Sequence, residues 1–276
     1  MRIIVVSDTH LSPRARAFND NWAAARTDIV DQAPNLVVHL GDISADGEHD
    51  PQELRAVRPL FDGLAMPLRF LPGNHDIGDN PIAPGTNPKT PVDRARLGEY
   101  RRLFGPDYWR FDAEGWRIIW LNAQLFGSGL PDEEEQFAWL CAQVGDCRTP
   151  VGVMLHKPLY RNGPHDTEAH VRYVPLAPRC RLLTVLAGCD LRFVLSGHTH
   201  QARRIDIDGV EHRWAPSTAF WIPDELQERI GEKVLGVLAL DLAETTHRFY
   251  PVTSAGLISH NLADHPDVYP ELRRRP

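Results

Sequence analysis

Five short polar clusters hold the residue types that bind metal ions or move protons. They are Asp8-Thr9-His10, Gly41-Asp42, Gly73-Asn74-His75-Asp76, His156 and Gly197-His198-Thr199-His200. An i, i+2 pair such as Asp8 and His10 cannot share a helical face. From an extended turn it can bracket one site. Glycine stands directly before Asp42, Asn74 and His198, where a sharp backbone turn is then free of side-chain clash. Taken singly, an Asp-x-His or a Gly-Asp reads as a cap or a turn. Five of them at corresponding places in the chain read as one site.

The elements that place these clusters are legible from hydrophobic pattern. Ile3 to Ser7, Leu36 to Leu40 and Leu68 to Leu71 are short apolar runs, expected as buried strands. Helices are expected between them, over roughly 19–33, where Trp22, Ala25, Ile29 and Val30 share a face, and from Pro51 to about Leu64. Further strands are expected at 116–122, 151–155 and 191–195, with helices at 132–145 and about 179–187. Each cluster then ends a strand. This β-α alternation implies a largely parallel sheet covered by helices. In such sheets ligands sit outside the carboxyl ends of the strands, where residues distant in sequence converge. After residue 200 the pattern changes to an Asp208-Gly209 hairpin within 204–214 and two strands at 235–242 and 247–252. Ile77 to Asp93 and Lys157 to Pro178 are long proline-rich loops, the expected seat of specificity.

Composition narrows the function. The 276 residues carry a net charge of −7, which argues against a general nucleic-acid binder. It leaves room for a local positive site that takes one phosphate. There is no apolar stretch of membrane-spanning length and no secretory signal pattern, so a cytoplasmic protein is expected. Cys141, Cys147, Cys180 and Cys189 fit no zinc spacing and are expected as reduced thiols. His39 is expected in the core or beside the site. His165 and His170 are expected at the surface or along the substrate pocket. The clusters run from residue 8 to 200 and end strands of what reads as one sheet. A single domain over 1–276 is therefore expected, with a core to about residue 252 and a loosely structured tail over 253–276.

The series resembles the calcineurin-like metallophosphoesterases in their five-block order D-x-H, G-D, G-N-H-D, H, G-H-x-H. The resemblance covers about residues 3 to 220. Ser7-Asp8-Thr9-His10-Leu11-Ser12 is most similar to the class III cyclic-nucleotide phosphodiesterases and related glycerophosphodiesterases. Phe104 to Tyr108 and Gln136 to Leu140 also look like the family. The resemblance implies an α/β fold, a four-layer α/β/β/α sandwich of two mixed sheets flanked by helices. It implies a first metal held by Asp8, His10, Asp42 and His200. Asp42 would bridge to a second, completed by Asn74, His156 and His198. His75 would contact substrate as an acid without ligating metal, and Asn74 would share in substrate binding. One departure stands out: His156-Lys157-Pro158-Leu159 replaces the His-His-Pro-Pro of many members, which puts a cation next to the site.

Two carboxylates, four imidazoles and one amide suit Mn, Fe, Zn or Co better than Mg or Ca. Two divalent ions outweigh the two aspartates and a bridging hydroxide by about one positive charge, enough to draw in a phosphate anion. Such a pair, about 3.5–4 Å apart, can generate the hydroxide and stabilise an in-line displacement at phosphorus. The expected activity is hydrolysis of a small phosphodiester, a 3′,5′-cyclic nucleotide or a glycerophosphodiester. A phosphomonoesterase, a nuclease or a non-catalytic scaffold on the same fold are the alternatives. Nothing in the sequence excludes a homo-oligomer.

Overall fold

The computed structural model describes residues 1–252 and 254–274. Strands β1 (Arg2–Val6), β2 (Leu36–His39) and β3 (Leu68–Phe70) alternate with helices α1 (Arg16–Asp31) and α2 (Pro51–Val57). After the short helix α3 (Asn74–Ile77) come α4 (Arg94–Phe104), β4 (Trp109–Ala113), β5 (Trp116–Leu121), α5 (Pro131–Val144) and β6 (Val151–Leu155). Then follow α6 (Leu176–Leu186), β7 (Leu191–Ser196), β8 (Arg203–Ile207), β9 (Val210–Trp214), β10 (Val237–Ala243) and β11 (Thr246–Val252).

The strands form two sheets, not the single one that the alternation implied. One runs β11-β10-β1-β2-β3 and the other β4-β5-β6-β7-β9-β8. Both are mixed. β1 is parallel to β2 and antiparallel to β10, while β5, β6, β7 and β9 run parallel with antiparallel pairs at the rim. The reason lies in strand periodicity. Side chains alternate between faces, so Ile3 and Val5 point to the other sheet and pack with Trp116, Ile118, Trp120, Phe193 and Leu195. Ile4 and Val6 point outward to α1, α2 and α4. Ile119, Val153 and Leu155 pack in the same way beneath α5 and α6. Two apolar faces per strand require four layers, which is the α/β/β/α sandwich that the resemblance implied.

Local differences have local causes. Trp22, Ala25 and Ile29 are buried along α1, but Val30 sits about 100° further round and is exposed. The helix expected to reach Leu64 gives way to a 3₁₀ turn over Arg58–Phe61, because Pro59 lacks the N–H that would continue it. The hairpin turn at Asp208 and Gly209 has positive φ at both residues, as a two-residue turn needs. No helix among the described residues is long and apolar enough to cross a membrane. The segment after β11 is not loose: Val268 and Tyr269 are buried with Phe18, Ala45 and Phe220. Residues 253, 275 and 276 of the expected tail lie outside the described residues.

Candidate metal centre

The parallel register puts the ends of β1, β2 and β3 side by side, with Val6 beside His39 and His39 beside Phe70. Leu155 and Ser196 end together in the second sheet. The two edges meet because the chain beyond them is cross-tied. Asp8 N–H donates to Gly41 O (3.1 Å), His10 N–H to Asp42 O (3.1 Å) and His198 N–H to Asp8 Oδ2 (3.0 Å). A Cβ on Gly73 would lie 2.1 Å from Asp42 Oδ1, so only glycine lets these two loops touch. Asp8, His10, Asp42, His198 and His200 all adopt positive φ, between 44° and 66°. The turning strain therefore falls on these residues themselves, not only on the glycines before them. Such conformations cost about 1–3 kcal/mol each and persist only where the surroundings enforce them.

Asp8, His10 and His200 bring one donor atom each to a common point, and so do Asp42, His156 and His198. Asp42 Oδ2 lies between the two groups, 3.2 Å from His156 Nε2 and 3.9 Å from His10 Nε2. His10 and His200 approach Nε2 to Nε2 at 3.1 Å, and His198 Nδ1 lies 3.1 Å from His156 Nε2. Each ring's remote nitrogen is engaged elsewhere. His156 Nδ1 meets Leu40 O (2.9 Å), His200 Nδ1 meets Phe220 O (2.8 Å) and His198 Nε2 meets Val171 O (3.2 Å). His10 Nδ1 meets the Tyr269 hydroxyl (2.7 Å). A carbonyl can only accept, so the ring nitrogen facing it carries a proton and the other nitrogen is the one turned into the site. Asp8 Oδ1 and Asn74 Oδ1 are buried without any hydrogen-bond partner. Asp8 Oδ1 lies 3.4 Å from His200 Nε2, and an orphaned acceptor beside imidazole nitrogens is what an ion-binding site needs and what a protein core avoids. The residues present fit a pair of divalent ions.

Charge follows from the same packing. Burial holds His10 and His198 well below the usual imidazole range. Burial also pulls His156 down, but the Asp42 carboxylate outweighs it and leaves that ring at about 9. His75 is raised too, the carboxylates of Asp42 and Glu48 overcoming burial. Its Nδ1–H donates to Ala45 O (2.9 Å), and its backbone N–H donates to Asp42 Oδ1 (2.9 Å). His39 is neutral, lowered by burial to about 3, and joins Thr9 Oγ1 (2.9 Å) at the back of the site.

Several contributors escaped the sequence reading. Asp76 accepts from the backbone N–H of Ile43, Ser44 and Gly73 and ties the second cluster to the third. Its place in Gly-Asn-His-Asp was the available signal. Lys157 is buried with its ammonium on Asp79 and Asn80, and its charge adds to the lowering of His198. His170 lines a cleft of about 410 Å³ over the centre, with Arg172, Phe220, Ile222 and Leu226, whereas His165 is exposed. Tyr269 had no signal at all.

This fold and donor set define a metal-dependent phosphoester hydrolase. The profile of the calcineurin-like phosphoesterase family matches residues 1–202, and the chain belongs to that family. It is 30% identical over 213 residues to a probable cyclic nucleotide phosphodiesterase of Synechococcus, covering 73% of this chain and 74% of the relative. It is 28% identical over 179 residues to the glycerophosphodiester phosphodiesterase GpdQ of Enterobacter lignolyticus, covering 57% of each. A dimetal phosphatase from Danio rerio superposes with a TM-score of 0.59 over 91% of this chain and 95% of its own, at 14% identity, and shares the fold.

Proposed function

We propose that the chain hydrolyses small phosphodiesters at a centre of two divalent transition-metal ions. Asp8, His10, Asp42 and His200 would hold the first, and Asp42, Asn74, His156 and His198 the second. The observation that carries this reading is the buried, unpartnered Asp8 Oδ1, 3.4 Å from His200 Nε2 among four imidazoles anchored by their far nitrogens, with a second unpartnered oxygen on Asn74. Bound ions, Mn, Fe, Zn or Co by the donor set, supply Lewis acidity toward phosphoryl oxygens and an acidified water.

The chain supplies the rest. Asp42 lies between both groups and fixes their separation. Its other oxygen orients His75 through the backbone N–H. Because His75 gives Nδ1–H to Ala45 O, its Nε2 is free for substrate, and its raised pKa favours the protonated ring. That ring donates a proton to the departing alkoxide, and Asn74 beside it helps seat the phosphoryl group. In the cleft, Phe220, Ile222 and Leu226 offer an apolar wall with Arg172 at the rim. This suits one organic substituent on a charged phosphodiester. The names of the relatives support a 3′,5′-cyclic nucleotide or a glycerophosphodiester. Four free cysteines support a reducing, cytoplasmic setting.

The test is hydrolysis of bis-p-nitrophenyl phosphate with Mn²⁺ and with chelator, followed by a panel of cyclic nucleotides, glycerophosphodiesters and monoesters. Metal-dependent turnover favouring the diesters supports the reading. No turnover with any of several metals favours a scaffold, and preference for monoesters moves the chain to the phosphatases.

A further inference from the structure

Three of the four site imidazoles are braced by backbone carbonyls, and the fourth is braced by a side chain from the opposite end of the chain. The Tyr269 hydroxyl lies 2.7 Å from His10 Nδ1 across a separation of 259 residues. We infer that Tyr269 is a positioning residue of the metal centre: its hydroxyl fixes the His10 ring so that Nε2 faces the ions, and the C-terminal segment thereby completes the site. The inference rests on the two-metal reading above.

The contact is built, not incidental. Tyr269 is 8% exposed and its neighbour Val268 3%. Its ring stands edge-on to those of His10 and His75, with centroids 6.1 and 5.9 Å apart, and also meets Phe220. The segment leading to it is pinned. Trp221 N–H donates to His260 O (3.0 Å) and Leu262 N–H to Trp221 O (2.9 Å). The Asn21 amide bonds both the N–H and the carbonyl of Ile258. Two independent ties thus precede the tyrosine, and an apolar cluster with Phe18 and Ala45 receives it.

A hydroxyl also does something that a carbonyl cannot. The carbonyls on His156, His198 and His200 accept only, so in each of those rings the nitrogen facing the carbonyl keeps its proton. Tyr269 can accept from His10 Nδ1–H when Nε2 ligates an ion. It can donate to Nδ1 when the proton sits on Nε2 instead. Among the four imidazoles, and within the described residues, His10 is therefore the one whose partner can follow loading and unloading of the site. The tyrosine ring has a separate role in shape, since it borders both the cleft above the centre and a neighbouring cavity of about 500 Å³ that includes Arg14 and Lys89.

Tyr269→Phe separates these roles, because it removes the hydroxyl and keeps the wall. The experiment is calorimetric titration of the full chain with Mn²⁺, with steady-state hydrolysis of bis-p-nitrophenyl phosphate alongside. The expected result is that one of two Mn²⁺ affinities falls by about 10-fold or more while the other holds. At limiting Mn²⁺, kcat falls and is restored by raising Mn²⁺, and KM is unchanged. Val268→Ala loosens the same packing and keeps the hydroxyl, so it should leave both Mn²⁺ affinities intact. Unchanged affinities in Tyr269→Phe would overturn the inference, and so would an equal loss in Val268→Ala. If the parent protein binds no Mn²⁺, the two-metal reading itself falls first.

Discussion

The two halves of the candidate centre are built differently. Asp8, His10 and His200 are sealed, each 3% exposed or less. They are braced by Ser7, by Phe220 O and by the buried C-terminal segment. In the other half, His156 is equally buried, but Asn74 and His198 are partly open, and His198 leans on Val171 in the long loop after β6. An inner group held by packed elements and an outer group held partly by a loop should not bind alike. The inner position should load first and release last, and the outer one should exchange beside the substrate cleft.

Asp42 is where that contrast can be broken most severely, because it lies between both groups. Asp42→Asn is expected to lower kcat/KM by about 10³-fold or more and to deplete both positions, read by kinetics and metal analysis. His75 belongs to neither half. His75→Ala should cost about 10²–10⁴ in kcat for alkyl leaving groups, less for p-nitrophenolate, with metal content unchanged. Equal loss of metal would make His75 a ligand. The contrast itself is sharpened by pairing His198→Ala with His200→Ala. The first should weaken one Mn²⁺ affinity by about 10-fold or more, and the second should strip the tighter ion.

The smallest effect concerns protons. His156 is raised from 6.5 to about 9 in the metal-free protein. A raised imidazole stabilises the fold below its unfolded pKa and loses that contribution as pH rises through the folded one. Thermal melts in chelator should therefore drop a few degrees between about pH 6.5 and 9. An ion needs the same nitrogen bare, so Mn²⁺ loading should release about one proton per chain in that window and weaken as pH falls. Melts flat across the window would contradict the Asp42–His156 pairing.

What could be read from the sequence follows from where physics is local. Asp8, Asp42, His156 and His198 each follow an apolar run, and a strand end marks its own functional residue. The number of sheets was not local: β1–β3 and β5–β7 look alike as runs, and only their second faces, packed on each other, separate them. The strand Trp109–Ala113 hid because it lies at a sheet rim and only alternates, half-buried and exposed. The helix Arg94–Phe104 hid behind its charges, with just Leu97, Tyr100 and Phe104 buried. Tyr269 sits among short 3₁₀ turns, which carry no periodicity to read.

The central claim is that residues from Asp8 to His200 grip two ions that share Asp42. Electron paramagnetic resonance of the Mn²⁺-loaded protein, with metal content measured on the same sample, tests it most directly. Two Mn²⁺ per chain with an exchange-coupled spectrum is the predicted result. A single ion, or two that are magnetically independent, would contradict it.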